Sequence, residues 1–128
     1  MVNQWFGWLW IVAGFLSGAT IGLGFQNEHW LGGYGSWPRR MIRLAHVSFI
    51  MLGIINILFA LSLDRLALHP ALQSVASGAF ILGGVAMPPC CFLSAWKRGF
   101  RHLFAVPVIC LLVAGAITAL GALSGGSR

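Results

Sequence analysis

The stretch MIRLAHVSFIMLGIINILFALSL, residues 41–63, decides the fold. Past Arg43 it carries no formal charge, and its polar side chains are only His46, Ser48, Asn56 and Ser62. At about 1.5 Å per residue, a helix of this length covers the roughly 30 Å hydrocarbon core of a bilayer. Residues 5–25, 72–93 and 103–124 read the same way. The expected fold is all-α: one integral membrane four-helix bundle, residues 1–128, with the spans at about 5–25, 41–63, 72–93 and 103–124.

Composition supports this. The chain has 128 residues, 59% hydrophobic and 8% charged, where a soluble domain carries about 25% charged residues. The gaps between spans are too short to fold alone. The net charge of +6 does not point to nucleic acid, because basic residues flanking spans are the ordinary topology signal. Cys90, Cys91 and Cys110 fall inside expected spans and are odd in number, so no disulfide framework is implied. Buried free cysteine is an ordinary packing residue. The N-terminus lacks the positive n-region of a leader, and its apolar run is longer than an h-region, so a retained helix is expected.

Charge also sets an orientation. Arg39, Arg40, Arg43, Lys97, Arg98 and Arg101 are six of the eight basic side chains, and all fall on one membrane face. Arg65 and Arg128 fall on the other. The positive-inside rule makes the basic face cytoplasmic and puts both termini on the non-cytoplasmic side. Trp5, Trp8 and Trp10 against Trp30, Trp37 and Trp96 fit two aromatic belts. Arg39, Arg40, Lys97 and Arg98 are expected to meet anionic lipid head groups. The setting expected is the bacterial inner membrane.

Helices in lipid associate through small residues and polar contacts. Gly14, Gly18 and Gly22 recur at four-residue spacing and so line one face of the first helix, with Ser17 beside them. That face is a candidate contact for other membrane subunits. Ser77, Gly84 and Cys91, and Gly115 with Ala119, form lesser stripes. Pro88-Pro89 should kink the third helix. The glycine-rich 31–38 loop matches no phosphate-binding motif.

His46 is the clearest ionisable residue inside a span, and such residues default to functional candidates. Arg43 lies one turn before it, and His102 opens the fourth span at the same face. Two neutral imidazoles on facing helices would ligate a b-type haem. Arg40, Arg43 and Arg101 would then meet its propionates, and Gly53 would let the macrocycle near the backbone. A copper site from His46, Met87 and Cys91 is the rival metal reading. A structural reading stands beside both: His46 bonded to a neighbouring helix, and His102 an interfacial residue. His29 and His69 fall in loops.

The run Arg43-Leu44-Ala45-His46, followed by Gly53, Asn56 and Phe59, resembles the histidine-bearing helices of haem-binding membrane proteins, including the haem–copper oxidase-like NnrS group. The resemblance covers part of one helix and implies His46 as a haem or metal ligand. The chain departs from those proteins in its four spans and its lack of a repeated pair of intramembrane histidines. A catalytic haem–copper centre is therefore not expected.

Three function classes follow. The first is a small integral subunit of a larger complex, in electron transfer, packing and anchoring with a b-type haem or a quinone near His46. The second is a small four-helix transporter, disfavoured because Glu28 and Asp64, the chain's two acidic residues, both lie outside the spans. The third is a membrane enzyme; no Ser–His–Asp set or His-Glu-x-x-His motif is present, so no catalytic activity of the chain on its own is expected.

Overall fold

The computed structural model describes residues 2–125. Four helices form: α1 Val2–Gly24, α2 Trp37–Ser62, α3 Pro70–Trp96 and α4 Ala105–Gly125. Short 3₁₀ segments lie at Trp30–Gly32, Leu63–Arg65 and Arg98–Phe104, and no strand occurs among the described residues. Four helical stretches are long and apolar enough to cross a membrane. This is a membrane protein built as a four-helix bundle. Arg128 lies outside the described residues.

Helix starts differ from the expected spans for local reasons. α2 begins before residue 41 because Ser36 Oγ accepts from Arg39 N at 3.4 Å, while Pro38 suits the first turn, where its missing N–H costs nothing. α3 begins at Pro70, capped by His69 Nδ1 accepting from Ala71 N at 3.3 Å. α4 begins later than 103 because Arg98–Phe104 winds as a 3₁₀ segment.

The helices pack in chain order: α1 on α2, α2 on α3, α3 on α4, with α1 also touching α3. Glycine sets the α1–α2 approach. A Cβ at Gly53 would lie 2.7 Å from the Gly7 carbonyl oxygen, and one at Gly7 would lie 2.5 Å from that of Gly53. Gly53 thus faces the backbone of α1. Gly14 receives Ile50, and Gly18 receives the His46 ring. Two of the three glycines in the expected subunit-contact stripe are therefore covered by α2 of the same chain. Gly22 stays open, with nothing within 4 Å of its Cβ position.

Polar contacts fasten the three helices on which this approach depends. Asn3 Nδ2 donates to Asn56 Oδ1 at 2.8 Å and to the Ser77 carbonyl at 3.2 Å. Ser77 Oγ donates to Asn3 Oδ1. Asn56 Nδ2 donates to the carbonyls of Leu52 at 2.8 Å and Phe80 at 3.4 Å. Asn56 is fully buried, and both its amide ends are satisfied. Below this network Phe59, Leu66, Ala76, Phe80 and Ala114 form the apolar core.

Prolines inside membrane helices free carbonyls that lipid cannot satisfy. Pro88 cannot bond the Gly84 carbonyl, and Trp10 Nε1 on α1 donates to it at 3.0 Å. Cys90 Sγ on α3 lies 3.5 Å from the carbonyl of Leu103, in the 3₁₀ segment that precedes α4, as a weak donor. At the last turn of α3, Trp37 Nε1 donates to the Ser94 carbonyl at 2.7 Å. Each of these bonds joins two helices.

Replacing Gly53 by alanine should therefore force α1 off α2, at a cost of about 1–3 kcal/mol for overpacking. Gly78 has open space at its Cβ position, so Gly78→Ala should be neutral or slightly stabilising. Thermal unfolding in detergent compares the pair; equal melting temperatures would contradict the close approach.

Candidate functional site

Both connections that join helices at the basic end, 25–36 and 97–104, lie away from the chain ends. Here α1 and α2 diverge beyond Gly18. The gap between them is a groove of about 310 Å³ lined by Gly18, Ile21, Gly22, Phe25, Arg43, His46 and Val47. Its lining is apolar apart from Arg43 and His46.

The His46 ring is fixed by α1. Its Nδ1 lies 3.0 Å from the Gly14 carbonyl oxygen and 3.1 Å from Ser17 Oγ. Ser17 Oγ itself donates to the Gly14 carbonyl at 2.8 Å. A carbonyl oxygen only accepts, so Nδ1 must carry the proton. In the neutral ring, Nε2 is then left as a lone-pair acceptor. Among the described residues, no group bonds Nε2. The result is an oriented imidazole with one free nitrogen on the wall of a membrane groove.

Arg43 reaches the same groove. Its guanidinium stacks on the Tyr34 ring at 4.1 Å, and Nη2 donates to the Tyr34 carbonyl at 3.2 Å. The other expected site residues lie elsewhere. Arg40 is exposed and 5.8 Å from the Trp37 ring, with Arg98 at 5.3 Å from the same ring. Arg101 and His102 are exposed on the 3₁₀ segment between α3 and α4. His46 and His102 are held by different helix pairs, and the His46 ring is engaged by α1. Cys91 is fully buried on α3 and Met87 half-buried there. Among the described residues, no three His, Cys, Asp or Glu side chains gather into a metal site.

Arg39 departs furthest from its expected place among surface lipid contacts. It is only 3% exposed. Its guanidinium lies 4.3 Å over the Phe25 ring, with the Trp30 and Tyr34 rings each at 5.8 Å. Nη1 donates to the Glu28 carbonyl at 2.9 Å, and buried Nε has no partner.

The loop that builds this cage has fixed turns. Gly32 and Gly33 take φ of 85° and 90°, a region open to glycine at little cost. Leu31 takes φ 55°, and Ser36 Oγ donates to its carbonyl at 2.6 Å. Sequence signals for the cage were weak because its parts are scattered over 25–39. The Ser17–His46 contact was nearer to hand, since Ser17 lies beside the glycine stripe.

Comparison with family models, with curated proteins and with solved structures finds no match for the chain.

Nitrogen-15 NMR of histidine-labelled protein should show His46 as the Nδ1–H tautomer. A signal pattern with the proton on Nε2 would contradict the contact to the Gly14 carbonyl. Ser17→Ala should leave the tautomer unchanged and cost about 1 kcal/mol or less, as interhelical hydrogen bonds in membranes usually do.

Proposed function

We propose that the protein is a small integral subunit of a bacterial inner-membrane electron-transfer complex, and that it holds the ring of a quinone-class carrier in the α1–α2 groove. One observation carries this reading: His46 Nε2, on a largely apolar groove wall, has no partner among the described residues. Quinols travel in the hydrocarbon region and present an O–H that such a nitrogen accepts. Arg43, on the same groove wall, offers a cation for the oxygen of the ring. Binding sites for small molecules combine these features: apolar walls and a few oriented polar groups. By the positive-inside rule the groove opens towards the cytoplasmic leaflet, with both termini on the other side.

A b-type haem is the second reading, favoured by the same contact. A ligating imidazole commonly donates its other N–H to a carbonyl, which fixes its orientation. His46 Nε2 would hold the iron, and the haem would supply one-electron transfer. The second axial ligand would be His102 or a residue of another subunit.

The test is quantitative. Protein purified with its bound lipids is extracted and its quinone measured, alongside a dithionite-reduced-minus-oxidised spectrum. Near-stoichiometric quinone is expected in the wild type. His46→Leu should lower it about tenfold, equivalent to about 1.4 kcal/mol of binding. Gly22→Leu should do the same by filling the groove, with no loss of thermal stability, since open space surrounds that Cβ position. A haem α-band lost in His46→Leu would favour the second reading. Equal quinone in all three proteins with no haem band would overturn both.

A further inference from the structure

The loop between α1 and α2 encloses a second cavity, of about 520 Å³, lined by Phe25, Glu28, His29, Tyr34 and Arg39. It is unlike the groove in one respect: its walls carry formal charges of both signs. Arg39 and Glu28 border the same space, yet among the described residues the Glu28 carboxylate forms no ion pair or hydrogen bond. Only the backbone carbonyl of Glu28 meets the guanidinium.

Arg39 is not a solvated surface charge. It is 97% buried by exposure of only 3%, and its Nε has no acceptor. A buried, incompletely bonded guanidinium is costly unless something else supplies oxygen atoms. Phe25 covers the group at 4.3 Å, and Arg39 also lines the cavity, where an acceptor would meet it. Arginine donors match phosphate oxygens in this geometry. The Glu28 carboxylate, with no partner among the described residues, suits a cation at the other wall.

We propose that this cavity is a receptor for a phosphoethanolamine group, with its phosphate on Arg39 and its ammonium on Glu28. The unpaired opposite charges select a zwitterion over an anion, because a lone phosphate would leave Glu28 repelling it. They also select a primary ammonium over a choline head group, because only the former donates hydrogen bonds to the carboxylate. The cavity lies at the connection between two spans, the depth of a lipid head group. The ligand chemistry is shared by phosphatidylethanolamine and by free phosphoethanolamine. The inference is independent of the quinone reading, since it uses neither His46 nor Arg43.

Native mass spectrometry of the full-length protein tests it, with equimolar phosphatidylethanolamine, phosphatidylglycerol and phosphatidylcholine added after delipidation. Wild-type protein should retain the ethanolamine lipid about fivefold over the other two, a discrimination of about 1 kcal/mol. Glu28→Gln keeps the fold, because Glu28 is exposed, and should abolish the preference over phosphatidylglycerol.

Arg39→Gln is a harder change, since the side chain is caged. A second measurement therefore uses the wild type alone: phosphatidylethanolamine nanodiscs should raise its melting temperature over phosphatidylcholine nanodiscs, and Glu28→Gln should remove the difference. Soluble phosphoethanolamine is tested in the same way. Stabilisation by it without lipid preference, lost in Glu28→Gln, supports the same site with a soluble source. Equal retention of the three lipids with no stabilisation by phosphoethanolamine overturns the proposal, as does a preference unchanged in Glu28→Gln.

Discussion

Backbone carbonyls in a bilayer must find donors inside the protein, and this constraint shapes the contacts of the bundle. Pro88 deprives the Gly84 carbonyl of its usual intrahelical partner, and Trp10 on α1 supplies a donor to it. Cys90 Sγ on α3 likewise approaches the Leu103 carbonyl ahead of α4. The helix break at Pro88 is thereby converted into an interhelical tie. The same logic explains Trp37, whose indole reaches the Ser94 carbonyl where α3 runs out of following N–H groups. An apolar surface alone would not hold these helices together, since lipid tails solvate leucine as well as another helix does.

The four spans were legible in the sequence because apolar length is a one-dimensional property. Their boundaries were less so. The start of α2 depends on Ser36 and Pro38, which read as loop residues by composition. Packing order was not legible at all. The expectation of facing His46 and His102 assumed that α2 and α4 share an interface, whereas α4 packs chiefly on α3. The glycine stripe read as a contact for other subunits; within the chain, Gly14 and Gly18 meet α2.

The candidate site divides the same way. His46 stood out because an imidazole in a span is rare and expensive. Its partners could not be named without knowing which helix it faced. Arg39 was harder, because three consecutive-looking cations at 39, 40 and 43 read as one basic patch. In the fold they part: Arg39 turns inward under aromatic rings, Arg40 stays outside near Trp37, and Arg43 lies on Tyr34. Asn3 gave no signal either, as a polar residue near a chain end is ordinary; its role appears only when Asn56 and Ser77 arrive beside it.

That asparagine network has a consequence for the making of the protein. Its members belong to α1, α2 and α3, and none to α4. As helices enter the membrane in order of synthesis, the first two carry a half-satisfied pair of amides. Only the arrival of the third supplies the Ser77 hydroxyl and the Phe80 carbonyl. α1 and α2 alone would leave these amides short of the partners that α3 supplies, and the three-helix unit satisfies them with uncharged groups. The fourth helix can then dock on a core whose polar accounts are already closed.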